Sequence, residues 1–256
     1  MYPDFKKLSS ADPKVISEGI KEIAQQVEKG VNPEDIPFMF DALTSLFYID
    51  TFDRPDLRKT VTEAQRTVAK MGPAVIPLIL EKIRDTDIKA ELALAQTCGL
   101  MGETAIAPLI AVFNGRRDPV NTAFALYAFG KIKSPKIKAA LPIILKAVKS
   151  PRKETEDTAV RALGKICESI RPADLDEETK SEIFESLIAK CAHSNAVIRS
   201  KAVRSLGKLI RYGFANDVQR NTIIARVKSI LGLDEDREWD PAYLVRREAQ
   251  EILDTL

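Results

Sequence analysis

A recurring phrase limits what this chain can fold into more than any other feature. An Ala-rich stretch closes on a small residue, and a short apolar phrase carrying a proline follows. The proline phrase reads Ile36-Pro37-Phe38-Met39, Ile76-Pro77-Leu78-Ile79, Ala107-Pro108-Leu109-Ile110 and Leu141-Pro142-Ile143-Ile144, its prolines 40, 31 and 34 residues apart. The Ala-rich stretch closes on Ala69, Gly99, Gly130, Gly164 and Gly207, in steps of 30, 31, 34 and 43. Self-similarity in this range marks a solenoid, whose units bury their apolar faces only against their neighbours. The expected fold is all-α: a right-handed α-solenoid (superhelix) of stacked antiparallel helical hairpins. Such a fold presents a surface rather than a reaction centre.

Composition agrees. Apolar residues make up 45% of the chain, charged residues 30% and aromatics 6%, and there are 11 glycines in 256 residues, fewer than the usual ~7%. Abundant Ala, Leu, Ile, Lys and Glu favour helix throughout. The formal net charge of +2 names no partner by itself. No stretch approaches the ~20 apolar residues of a membrane helix, and Met1-Tyr2-Pro3-Asp4-Phe5-Lys6-Lys7 lacks the apolar core of a signal peptide. Cys98, Cys167 and Cys191 are odd in number and sit in apolar helical patterns, which reads as buried thiols in a reduced compartment. A cytoplasmic location is expected.

Helix starts repeat as well. Asp12-Pro13, Asp118-Pro119, Ser150-Pro151 and Asp240-Pro241 each place a capping oxygen before a proline at the first helical position, where the missing amide costs nothing. Arg54-Pro55-Asp56 is a looser version, and Ser194-Asn195 offers caps without proline. The apolar spacing predicts thirteen helices: 12–30 with 33–48, 54–71 with 73–84, 86–101 with 103–115, 119–132 with 135–149, 151–170 with 177–193, 195–212 with 215–231, and 240–256 alone. We call the two members of each pair A and B. The chain reads as one solenoid over 1–256, with a divergent capping repeat at 1–53, regular repeats at 54–232, and an acidic loop and capping helix at 233–256. The small residue closing each A helix admits a close neighbour, and the proline inside each B helix is expected to bend it.

Arg199-Ser200-Lys201-Ala202-Val203-Arg204-Ser205-Leu206-Gly207-Lys208-Leu209 resembles the A helix of a HEAT repeat, with arginine, alanine and glycine in that family's spacing. Met71-Gly72-Pro73-Ala74-Val75-Ile76-Pro77-Leu78-Ile79 resembles the turn and B helix that follow. The variety is similar to the short HEAT-like repeats first named from phycobilisome lyases, over about residues 54 to 256. The resemblance implies hairpin stacking, a binding role and an Asp–Arg ladder between repeats. Arg199 and Arg246 keep the family arginine, whereas Glu91, Thr122 and Glu156 replace it and interrupt that ladder.

No phosphate-binding loop, nucleophile elbow or dinucleotide fingerprint occurs. One histidine, His193, leaves no partner for a zinc motif, and its place at a B-helix end reads as a dipole contact. Neither an enzyme, a cofactor nor a metal is expected. Charge is the better lead. Lys131, Lys133, Lys136, Lys138, Lys146, Lys149, Arg152, Lys153, Arg161 and Lys165 crowd one segment. Arg199, Lys201, Arg204, Lys208, Arg211, Arg220, Arg226 and Lys228 crowd another, while both ends of the chain are acidic. The bases expected on or beside a concave B-helix face are Arg84, Arg116, Arg117, Lys146, Lys149, Arg220, Arg226 and Lys228. Phe38, Phe40, Phe47, Tyr48 and Phe52, with Phe5 nearby, fill the end of the core or form an exposed hydrophobic patch for a partner. Trp239 is expected to pack down as an anchor.

The reading is a non-catalytic protein-protein interaction scaffold or adaptor with a concave, partly basic surface, its partner a protein bearing an acidic segment. The alternatives are a nucleic-acid-binding HEAT-like solenoid and a lyase subunit or chaperone-like accessory protein. The sequence leaves the oligomeric state open and gives no membrane partner.

Overall fold

The computed structural model describes residues 5–114, 118–235 and 239–256, and its contacts group the chain into two compact units, Met1–Ile132 and Lys133–Leu256. In the first, the helices are α1 (Pro13–Lys29), α2 (Ile36–Thr44), α3 (Arg58–Lys70), α4 (Ile76–Lys82), α5 (Ile88–Met101), α6 (Ile106–Ala111) and α7 (Pro119–Phe129). In the second they are α8 (Leu141–Val148), α9 (Lys153–Ile166), α10 (Glu177–Lys190), α11 (Ala196–Arg211), α12 (Asp217–Ile230) and α13 (Tyr243–Leu253). Among the described residues the extended pairing is confined to an isolated antiparallel bridge, Leu231 with Trp239. No helix there is long and apolar enough to cross a membrane.

The odd-numbered A helices stack on one another: α1 on α3, α3 on α5 and α5 on α7 in the first unit, α9 on α11 and α11 on α13 in the second. Sequence period explains this directly. In α1, Ile16, Ile20 and Ile23 fall four and three residues apart and are all buried, one apolar stripe facing inward. A helix covered by several neighbours, as α7 is by α5, α6 and the 3-10 turn Ile83–Asp85, needs more. In α7, Thr122, Ala123, Phe124, Ala125, Leu126, Ala128 and Phe129 are all buried, because a helix covered on several faces has no polar side to keep.

Helix starts fit the sequence in part. Asp12 accepts from the Lys14 amide at 2.8 Å, Asp118 from those of Val120 and Asn121, and Asn195 from that of Val197. Two expected caps are displaced. Ser150 accepts from the Arg152 amide and Asp240 from the Ala242 amide, but α9 and α13 start only at Lys153 and Tyr243. Each of these oxygens closes a turn ahead of its helix.

The expectation that the prolines bend the B helices is corrected. Ahead of α4, α6 and α8 run 3-10 turns, Gly72–Val75, Gly102–Ala105 and Pro135–Ala140. Pro37, Pro77 and Pro142 are then second in α2, α4 and α8, and Pro108 is third in α6. The first four amides of a helix have no intrahelical acceptor, so these prolines start helices rather than kink them. Two turns open on a glycine with positive φ, Gly72 at 77° and Gly102 at 64°, a conformation that penalises any Cβ.

Candidate binding surface of the second unit

Close stacking of α9, α11 and α13 sets the geometry of this surface. A Cβ on Gly164 of α9 would lie 2.8 Å from the Cα of Ser205 on α11, and one on Gly207 would lie 2.8 Å from Ile252 Cγ1 on α13. The Ser205 hydroxyl crosses the same contact and donates to the Val160 carbonyl at 3.1 Å. The helices therefore approach over small residues, and the long side chains flanking them rise as walls.

Between those walls lies an open groove of about 430 Å³. It is lined by the bases Arg161, Lys165, Lys201, Arg204, Lys208 and Arg211 and by the acids Glu168, Glu248 and Glu251, with Ser205, Gly207, Ile252 and Thr255 completing it. The acids are bound by neighbouring bases. Glu168 takes Lys165 and Lys133, each at 2.9 Å, and Lys208 at 3.0 Å. Burial opposes its ionisation, but the hydrogen bonds from Lys165, Lys133 and Lys208 prevail and hold its carboxyl at about 2. Burial also pushes the Lys208 ammonium below its ordinary value, with Glu168 partly offsetting it. Glu248, 1% exposed, receives Arg204 through Nε at 2.6 Å and Arg247 through Nη2 at 2.7 Å. Burial resists its ionisation too, and those guanidinium bonds hold its carboxyl low. Lys201 pairs with Asp157, while Arg211 is exposed and makes no ion pair among the described residues.

One Asp–Arg contact of the expected kind is present, at Arg199. Arg199 grips the Asp240 carboxylate with Nε at 2.7 Å and Nη2 at 2.8 Å, and Arg246 donates to the Asp240 carbonyl at 2.6 Å. Glu156, which replaces the arginine in α9, is buried and receives Lys190 at 2.5 Å. His193 stands beyond the end of α10: its Nδ1 accepts the Asn195 amide at 2.9 Å and its Nε2 lies 3.4 Å from Glu156.

The bases expected on the B helices are more dispersed. Arg84, in the 3-10 turn Ile83–Asp85 that follows α4, donates to Asp118 at 3.0 Å. Arg116 and Arg117 lie outside the described residues. Lys146 and Lys149 are exposed, and Lys149 pairs with Glu182 of α10 at 3.3 Å. Arg220 and Lys228 are exposed on α12, whereas Arg226 is half-buried and donates to the Cys191 carbonyl at 3.1 Å. The B helix between α8 and α12 in sequence, α10, exposes Glu178, Glu182 and Glu185, so the sign of the charge alternates from one B helix to the next.

The aromatic cluster of the first unit divides. Phe40 and Phe47 are buried and belong to the core, while Phe38, Tyr48 and Phe52 are exposed; Phe38 lies 6.4 Å from Phe5 between ring centres. The five side chains do not share one face, because the helical period turns Phe40 inward where Phe38 faces out. Trp239 is not packed down: it is 64% exposed, and the Arg246 guanidinium sits over its ring at 4.4 Å. Cys98, Cys167 and Cys191 are buried, and burial pushes each thiol up to about 12. No cluster of three metal-ligating side chains occurs among the described residues.

The groove bases are visible in the sequence, since Arg161 and Lys165 are four apart and Lys201, Arg204, Lys208 and Arg211 are three to four apart. Their convergence is not visible there, because it depends on which A helix stacks on which.

Helical hairpins stacked in this way define a helical-repeat protein. No family model and no curated protein matches the chain. Among solved structures it is similar to the complex of CpcE and CpcF of phycocyanin lyase from Nostoc sp., with a TM-score of 0.55 and 17% identity over 70% of this chain and 98% of that one. A designed armadillo repeat protein in complex with the peptide (KR)4 has a TM-score of 0.45 and 15% identity, over 98% and 96% of the two chains. The chain has a HEAT-like helical-repeat fold.

Proposed function

We propose that this protein is a non-catalytic interaction scaffold that binds an acidic segment of a partner protein through the basic groove of its second unit. The observation that carries this reading is the gathering of six bases from α9 and α11 around three acids in one open groove. A concave site with an excess of one sign attracts an incoming charge of the other sign. The B-helix face supports a nucleic-acid partner less well. A continuous polyanion crossing it would meet Glu178, Glu182 and Glu185 of α10 between the bases of α8 and α12, whereas a short acidic segment confined to one groove avoids them.

The test is a titration of a fluorescent eight-glutamate peptide and of a duplex DNA of about two turns, each at ~150 mM salt. The peptide is expected to bind and the duplex not to be retained. Tight duplex binding with a salt slope near 0.9 per phosphate neutralised would replace this reading with the nucleic-acid one.

A further inference from the structure

We infer that the outward face of α3 and α5, in the first unit, docks an amphipathic helix of a partner protein that carries acids along one flank. This surface is separate from the groove of the second unit and does not rest on the reading above.

Helical phase makes the apolar half of this face. α5 turns Ala90, Leu94, Cys98 and Met101 inward, and all four are buried. Its opposite side carries Ile88, Leu92, Gln96 and Leu100, four residues apart, with the three apolar side chains 65%, 41% and 43% exposed. On α1 the exposed positions at the same kind of spacing are Lys14, Glu18, Lys21 and Gln25, all polar. Single exposed apolar side chains are ordinary, but a row of them along one helix face marks a contact surface.

α3 packs beside α5 and supplies the charge. It buries Val61, Ala64 and Val68 and holds Arg58, Lys59 and Arg66 outward around an open hollow of about 360 Å³, which Thr62 and Glu63 complete. Those three bases are exposed, and their side chains make no ion pair among the described residues. Glu63, the acid in the hollow, already accepts the Ser17 hydroxyl of α1 at 2.6 Å. The neighbouring lysines are committed elsewhere: Lys89 to Asp50 at 2.5 Å and Lys70 to Glu28 at 2.6 Å. Three uncommitted positive charges therefore border an exposed apolar row, and the complementary partner is apolar on one side and acidic on the adjoining one.

The partner's conformation follows from the same face. Both helices satisfy their own backbone groups, so an extended segment would find no open edge to pair with. Two helices packed about 8–10 Å apart leave a furrow for the side-chain ridge of a third. The row from Ile88 to Leu100 spans about 18 Å at 1.5 Å per residue, which three to four turns of a partner helix cover with anchors at i, i+4 and i+7. Arg58 and Arg66 stand two turns apart on α3, about 12 Å, so acids two turns apart on one flank of the partner meet both.

The experiment uses the full chain and labelled helical peptides of about fifteen residues, at ~150 mM salt. One peptide has a leucine row flanked by glutamates, one has lysines for those glutamates, and one has serines for the leucines. The leucine–glutamate peptide is expected to bind at least about tenfold tighter than either of the others. Its advantage over the serine form should disappear with Leu92→Gln plus Leu100→Gln and survive Arg211→Glu in the second unit. Arg58→Glu plus Arg66→Glu should invert the charge preference in favour of the lysine peptide, with the melting temperature unchanged because both side chains are exposed and unpaired. Equal affinity for the leucine and serine forms, or a charge preference indifferent to the α3 reversal, overturns the inference. If the serine form still binds in that case and Arg211→Glu releases it, the second-unit groove keeps its acidic ligand and only this inference falls. Sedimentation with anionic vesicles that the α3 reversal abolishes, without leucine-dependent peptide binding, gives the face to a lipid surface and overturns it as well.

Discussion

At Glu168, three lysines around one carboxylate make a residue-scale feature with a definite pH signature. Its folded-state carboxyl lies at about 2, against an unfolded value near ~4.3. A depressed carboxyl contributes stability that is fully present above the unfolded value and is lost as the pH falls from there through the folded one. Glu168→Gln is therefore expected to cost roughly 2–3 kcal/mol at neutral pH, and the gap to wild type should close between about pH 4.5 and pH 2. Chemical denaturation across that range checks it; a gap independent of pH would show that the lysine cage adds nothing to the ionised form. The glycines give a second contrast. At Gly164 a Cβ meets the Ser205 backbone, whereas at Gly207 it meets side-chain carbon alone, Cγ1 and Cδ1 of Ile252. That side chain can give way more than a backbone, although the χ1 of a buried isoleucine in a helix is stiff. Gly164→Ala should destabilise by about 1–3 kcal/mol through overpacking and Gly207→Ala by clearly less, as read from melting curves.

Individual helices show where local sequence decides and where neighbours do. Asp118 caps α7 through two backbone amides and also accepts Arg84, so Asp118→Ala should lower the melting temperature, mostly through loss of the cap. Arg84→Ala should cost far less, because an exposed pair is worth about 1 kcal/mol or less. A larger loss from Arg84 than from Asp118 would overturn this ranking. The ladder contact is different in kind. Asp240 is held by Arg199, which also donates to the carbonyls of His193 and Ser194, so one guanidinium ties the end of one hairpin to the start of the next. Arg199→Lys should lower stability measurably, since an ammonium cannot reproduce the fork. The prolines teach the opposite lesson: their spacing revealed the repeat, yet their place in the helix was set by the 3-10 turns before them, which apolar spacing does not encode.

For the whole molecule, far-ultraviolet circular dichroism should show helix well above the ~30–35% of an average globular protein, and a visible strand component would contradict the repeat fold. The sequence by itself determined the all-α repeat, the stripe of Ile16, Ile20 and Ile23, the buried cysteines and the small residues at 164 and 207. These follow from local spacing, because a residue's helical face is fixed by its neighbours three and four places away. The tertiary structure alone decided which charges meet. Lys208 and Glu168 lie 40 residues apart in sequence but 3.0 Å apart in space, and Arg204 finds its acid in Glu248, on a different helix. The energy of a charge or a ring depends on what stacks against it, and in a repeat protein that neighbour comes from another repeat.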